Sequence, residues 1–157
     1  MIGWATRTPV ASGAADLPRA TETGRMTADD WPERIDELLA IRQLEDDWDG
    51  QGTPAPMTDV VDSALILALL LRREGIAAPD AVTQGLSGGV HFDWQPPDGR
   101  YIELQVMAPN TAAVYVHTPA APTRRYALAG STGPTRQREC RPAANGLTDR
   151  HPNRGEA

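Results

Sequence analysis

Hydrophobic periodicity predicts two helices in the first half of the folded region. Apolar residues recur at helical spacing from Trp31 onward, and Asp30 precedes them as a capping carboxylate, so we expect a helix over residues 30–46. A second helix is expected over residues 58–75. Residues 64–71 within it are apolar on every side, but a bilayer span needs roughly 20 such residues. The pattern therefore indicates a buried helix and no membrane anchor.

Alternation of apolar and polar residues predicts strands after the helices. Apolar residues alternate with polar ones over 90–94 and again over 102–106, and a shorter apolar segment follows at 112–117. A Pro- and Gly-rich turn at 95–100 separates the first two strands. We expect an α+β fold in two layers, with two helices packed on a three-stranded antiparallel meander.

The same patterns give the expected domain boundaries. Residues 1–26 are small and polar without periodicity, and residues 119–157 are rich in Arg and Pro, so both are expected to be mostly disordered. Tyr126 and Leu128 allow a short edge segment after the meander. The compact domain is therefore predicted to span residues 27–118.

Charge is unevenly distributed along the chain. Residues 27–118 hold 5 arginines against 16 acidic residues, a net charge of −11, whereas residues 119–157 hold 7 arginines against 3 acidic residues. An acidic body repels phosphate backbones, so nucleic acid is an unlikely partner except through the Arg-rich tail. The single cysteine, Cys140, cannot form an internal disulfide, and the N-terminal residues lack the features of a secretory signal; we expect a cytoplasmic protein.

Two aromatic–glycine motifs are the clearest landmarks. The sequence Trp48-Asp49-Gly50-Gln51-Gly52 follows the first helix, and Gly88-Gly89 opens the strand that ends at Trp94. Glycine permits backbone angles that other residues resist, and tryptophan contributes the largest apolar surface to a core. Both motifs are interpreted as architecture or as interaction surface.

Two strings within these regions match catalytic or metal-binding patterns only in part. Residues 45–50 match the opening half of a calcium loop, but Pro56 occupies the position that needs a bidentate carboxylate, which favours a solvated acidic helix end. Residues 85–89 match G-x-S-x-G, but we expect a loop before Ser87 and a strand after it, where a nucleophile elbow needs a strand before and a helix after. We therefore expect no catalytic residue, no calcium site and no cofactor.

The polar face of the sheet is a further candidate for chemistry. Alternation places His91, Asp93, Glu103 and His117 on one surface, together with Tyr115. Two imidazoles and two carboxylates suit a divalent metal, although ligands rarely converge on an open sheet. A solvated face is the preferred interpretation, and metal binding is the alternative.

The two motifs also carry a resemblance. The chain resembles small bacterial proteins of unknown function that have a W-D-G-x-G loop, a Pro-flanked helix and a later G-G-hydrophobic-x-hydrophobic-x-W strand. The resemblance covers residues 35–116, through Trp48, Asp49, Gly50, Gly52, Pro54, Ala64, Pro79, Gly88, Gly89 and Trp94. The chain departs from the group at Thr53, where many relatives have alanine, and in its long tails. The resemblance supports the domain boundaries and implies no activity.

Three functions remain open on the sequence. The first is a non-enzymatic protein-binding or regulatory module that contacts a protein partner or a second copy. Burial of Leu67 and Leu70 of the second helix within the monomer is the preferred interpretation; if they are not covered there, they form an apolar patch suited to such a contact. The second is a small metal-dependent enzyme that uses the polar sheet face. The third is a nucleic-acid adaptor that acts through the Arg-rich tail.

Overall fold

A computed structural model describes residues 12–20 and 30–129. It contains a short 3₁₀ helix, two α-helices and five β-strands. The 3₁₀ helix is Ser12–Asp16; the α-helices are α1, Trp31–Ile41, and α2, Thr58–Arg73; the strands are β1, Ala81–Gln84, β2, Val90–Trp94, β3, Tyr101–Ala108, β4, Thr111–Thr118, and β5, Ala121–Ala129. The predicted α+β class with two α-helices is confirmed.

The predicted number of strands is wrong, because the sheet has five strands in the antiparallel order β1-β2-β3-β4-β5. β1 was missed because Val82 is the only residue in its four that is both large and apolar. β5 lies in the segment 119–157, where Pro122 and two arginines obscure the alternation. It forms because β4 offers a full row of backbone partners, from Thr111 opposite Ala129 onward.

The sheet has one covered face. α1 packs against β1 and α2, α2 lies over β2 and β3, and the 3₁₀ helix contacts β4 and β5. Side chains that point toward this layer from the four longer strands are buried, and they include Phe92, Trp94, Ile102, Leu104, Val114, Val116 and Leu128. The opposite face of the sheet carries the polar residues and has no described element packed on it.

Residues 12–20 pack against β4, β5 and the residues that follow α2, and we call this segment the strap. The Leu17 side chain is buried, the Ala20 amide donates to the Gly75 carbonyl at 3.1 Å, and the Ala77 amide donates to Pro18 at 2.8 Å. The strap belongs to the segment 1–26 and β5 to the segment 119–157, so the folded part includes residues on both sides of the predicted 27–118 domain. The remainder of both segments lies outside the described residues.

The helices themselves differ little from expectation. α1 ends at Ile41, earlier than predicted, and Asp30 stands at its N-cap without a side-chain capping bond. α2 begins at Thr58 and ends before Gly75, whose φ of 75° reverses the chain direction. Among the described residues, none of the helices combines the length and apolar character needed to cross a membrane.

Candidate functional site

The W-D-G-x-G motif lies in a loop, residues 45–57, that we call the Asp-rich loop and that is held by its own carboxylates. The Asp49 carboxylate accepts from the Gln51 amide at 2.9 Å and from both the amide and the hydroxyl of Thr53. Asp47 accepts from the Gly52 amide at 2.6 Å, and Gly52 has a φ of 79° that strongly favours glycine. The loop is therefore fixed by hydrogen bonds between side chains and backbone within a few residues of one another.

A third carboxylate closes the loop over a longer span. Asp46 accepts from the amide of Ala55 at 2.9 Å, nine residues further along the chain. The hydrogen bonds to Asp49 hold the pKa of its carboxyl below the ordinary value, first through the Thr53 hydroxyl and then through the Gln51 amide. These carboxylates satisfy backbone amides, which explains the Asp-rich motif without a calcium ion. In the described part of the chain, no three His, Cys, Asp or Glu side chains group as a metal site.

The two sequence motifs meet in space. A Cβ atom at Gly88 would lie 3.9 Å from the Ala55 carbonyl oxygen, so the β1–β2 hairpin tip lies against the end of the Asp-rich loop. At Gly89 a Cβ atom would lie only 2.5 Å from the sulfur of Met107, in β3. A side chain at position 89 would have to displace the flexible end of Met107 and would lie 3.1 Å from the Val106 carbonyl oxygen, so only glycine fits there without a shift of its neighbours.

The β3–β4 turn joins the same end of the domain. The Asn110 amide donates to the hydroxyl of Ser63, a fully buried residue in the second turn of α2, at 3.2 Å. We call the surface formed by residues 45–57, 84–90 and 107–111 the loop end. It brings together three connections that are far apart in the sequence.

Exposed apolar side chains concentrate at the loop end. Leu86 is 77% exposed, Met57 62% and Met107 44%. They are three of the five large hydrophobic side chains that are exposed among the described residues; the other two, Leu39 and Leu69, lie on the helices. Met57 and Leu86 lie on the two connections that meet at Ala55 and Gly88, whereas Met107 lies beside Gly89 on the uncovered face of the sheet. Several large apolar side chains exposed at one end of a domain indicate a candidate interaction site, whereas isolated ones do not.

Trp48 lies within the Asp-rich loop and differs from the two core tryptophans. The indole N–H of Trp31 donates to the Ile76 carbonyl and that of Trp94 to the Ala77 carbonyl, each at 2.9 Å. The Trp48 side chain is only partly buried, and its indole nitrogen has no hydrogen-bond partner within the described ranges. Trp48 is therefore less completely integrated into the core than the other two.

The predicted apolar surface of α2 is only partly uncovered. Leu67 is buried at 5% exposure, because it points to the sheet, and Leu70 is partly buried. Leu69 is the more exposed residue of this helix, at 53%. The helix therefore presents a narrower apolar surface than Leu67 and Leu70 together would have given.

The polar sheet face brings the proposed metal ligands onto one surface, where His91 and Glu103 contact each other and Asp93 and His117 each contact a different residue. His91 Nδ1 lies 3.1 Å from Glu103 Oε1, and Gln105 donates to the same oxygen. The Tyr101 hydroxyl donates to Asp93 at 2.6 Å. The four candidates thus form side-chain pairs with neighbours on the sheet.

Other contacts on this face link aromatic and basic side chains. The His117 ring lies 5.6 Å from the Tyr101 ring, and its Nδ1 is 2.9 Å from the Thr123 hydroxyl. Arg125 donates to the Tyr115 hydroxyl at 3.0 Å and lies over the ring. Burial, followed by the hydrogen bond to Asp93, raises the pKa of the Tyr101 phenol.

The G-x-S-x-G string forms a hairpin turn. The Gly88 amide donates to the Gly85 carbonyl at 2.9 Å, and the Gly85 amide donates to Gly89 at 2.8 Å. A strand, β1, precedes Ser87, which differs from the expected loop, but β2 follows it in place of a helix. The geometry is that of a turn between antiparallel strands and not of a nucleophile elbow.

Sequence reasoning missed Met57, Leu86 and Met107. For Met57 and Leu86 the available signal was a large apolar residue inside a Pro- or Gly-rich connection, where burial is least expected. Met107 lies near the end of β3 and carries no such signal. Cys140 and the Arg-rich tail after residue 129 lie outside the described residues. No known protein-family model matches the chain, and neither a curated protein nor a solved structure is significantly similar to it.

Proposed function

We propose that this protein is a non-enzymatic protein-binding module and that the loop end is its binding surface. The observation that carries the proposal is the exposure of Met57, Leu86 and Met107 at the end of the domain where the Asp-rich loop meets the Gly88-Gly89 pair. Met and Leu side chains in such positions are costly to leave in water, at roughly 25 cal/mol for each Å² of apolar area. A partner that covers them recovers this free energy.

The internal hydrogen bonds of the Asp-rich loop support the proposal. Hydrogen bonds from backbone amides of the loop are accepted by the carboxylates of Asp46, Asp47 and Asp49, and Ala55 lies against the hairpin tip. A surface that is ordered before binding loses little conformational entropy on binding, which increases affinity. We also propose that the small bacterial proteins that the chain resembles use the same end, because their motif residues correspond to those that build it.

The alternatives have less support. The metal-enzyme hypothesis requires ligands that converge on one point; His91 and Glu103 contact each other, but Asp93 contacts Tyr101 and His117 contacts Thr123. The nucleic-acid hypothesis depends on a tail outside the described residues and remains a prediction from sequence. A homodimer is one form that the binding module can take, with the second copy as the partner.

Affinity capture from the native host tests the proposal. The full-length protein, a Leu86→Ser variant and a Leu69→Ser variant are compared side by side, because Leu69 is a similarly apolar, exposed residue on α2 and not at the loop end. We expect a protein that is retained by the wild type and by Leu69→Ser and lost with Leu86→Ser. Retention by Leu86→Ser with loss in Leu69→Ser would place the binding surface on the helices and contradict the proposal.

A further inference from the structure

We infer that the loop end recognises a basic partner segment that carries an apolar anchor; this rests on the proposed function above. The inference comes from the charges around the exposed apolar residues. Between Arg42 and Arg72 the chain has no basic residue, and this stretch includes the Asp-rich loop and the start of α2. The hairpin tip, residues 84–90, and the turn, residues 107–111, contain no basic or acidic residue.

Negative charge therefore borders the apolar surface, and the nearest cation in the sequence, Arg42, is paired with Asp62 of α2 at 2.7 Å. The acidic residues on this border are Glu45, Asp46, Asp47, Asp49 and Asp59. Glu45 and Asp59 are exposed, and Asp59 lies in the first turn of α2. The cationic side chains of the folded domain are mostly elsewhere: Arg72 and Arg73 at the opposite end of α2, and Arg100 at the start of β3.

This arrangement selects a partner by charge and anchors it by apolar contact. Charge complementarity speeds association and rejects wrong partners, whereas apolar burial supplies most of the affinity. An acidic partner segment would be repelled. A segment with Lys or Arg next to a Leu, Met or aromatic residue meets both requirements, with the anchor covering Leu86 and Met57 and the cations facing Glu45 and Asp59.

A titration of the full-length, ¹⁵N-labelled protein tests the inference with defined probes. The first probe is a short amphipathic Leu/Lys peptide, and the second replaces every Lys with Glu. We expect the Leu/Lys peptide to shift amides of the loop end and to bind more weakly as salt is raised, and we expect no shifts there with the Leu/Glu peptide.

Two sets of variants separate the charge from the apolar anchor. Replacing Glu45 with Gln and Asp59 with Asn removes two charges that form none of the loop's hydrogen bonds, and it should weaken binding about fivefold. Leu86→Ser should weaken it at least about tenfold by removing apolar contact. Leu69→Ser, the matched control, should leave the affinity unchanged.

The other outcomes each overturn the inference. Equal binding of both peptides at the loop end would leave the protein-binding surface intact but refute the requirement for a basic partner. Binding elsewhere, or no binding, refutes the basic partner, and the capture experiment with Leu86→Ser then decides the proposed function separately. Amide shifts at the loop end that grow with protein concentration alone would identify a second copy as the occupant. Amide shifts at the loop end that appear when the arginines after residue 130 are replaced with Gln would identify the chain's own tail as the occupant.

Discussion

The three described tryptophans provide a direct test of how the core and the Asp-rich loop differ. The Trp94 side chain is fully buried and its indole N–H donates to the Ala77 carbonyl at 2.9 Å. Trp94→Phe removes that donor and leaves a buried carbonyl without its partner, which costs about 1–3 kcal/mol. The smaller ring also leaves unfilled space in a packed core, which adds about 1 kcal/mol.

Trp48→Phe should behave differently. The Trp48 indole nitrogen has no hydrogen-bond partner among the described residues, so its removal relieves the cost of an unsatisfied buried donor, about 1–3 kcal/mol. This gain offsets the packing lost with the smaller ring. We expect the free energy of unfolding of Trp48→Phe to remain within about 1 kcal/mol of the wild type, and that of Trp94→Phe to fall by about 2–4 kcal/mol.

Urea unfolding followed by far-ultraviolet circular dichroism measures both changes without relying on tryptophan fluorescence. The comparison requires that the free energy of unfolding depend equally steeply on urea concentration in both variants, so that a change in the unfolding midpoint reports stability alone. If Trp48→Phe were as destabilised as Trp94→Phe, the Trp48 indole would have a partner in solution, and its assignment to the binding surface would be refuted.

Three further results are expected from local contacts. Folding lowers the pKa of Asp49, so its charged carboxylate stabilises the fold above the unfolded-state pKa. This contribution should be lost as pH falls through the lower folded-state pKa. In acid titrations of stability, Asp49→Asn should lack that pH dependence. Gly89→Ala should lower stability by about 1–3 kcal/mol in urea unfolding, because the new Cβ meets Met107 and the backbone beside it, and Met107→Ala should restore part of the loss. For Tyr101, whose pKa is raised on folding by burial and by the hydrogen bond to Asp93, stability should fall as pH rises above the ordinary phenol range. The stability of Tyr101→Phe should fall less over the same range; an equal fall would show that folding does not raise the pKa of Tyr101.

Local sequence patterns were sufficient for the regular elements. The apolar spacing from Trp31 and the polar–apolar alternation around Phe92 and Leu104 specify helix and strand by themselves, because each periodicity matches only one backbone geometry. The two helices and the central strands were therefore predicted. The positive φ at Gly52 and Gly88 likewise agrees with their position in connections.

The elements with weak local signals depend on contacts with residues far away in the sequence. β5 contains a proline and two adjacent arginines, and it is a strand because the free edge of β4 pairs with it. Leu17 lies in a segment without periodicity, and it is ordered because the domain offers a buried site for one leucine. In both cases the stabilising partner lies far away in the sequence, so no local pattern reveals it.

The candidate site also depends on long-range contacts. The sequence directly establishes the composition of the Asp-rich loop, the Gly-Gly pair and the acidic stretch that contains no arginine. It could not determine that the Asp46 carboxylate bonds the Ala55 amide, or that Ala55 lies against Gly88, because antiparallel pairing and helix packing set those distances. Exposure of Met57 and Leu86 is likewise a property of the whole fold: an apolar side chain is buried or exposed according to what the rest of the chain places over it.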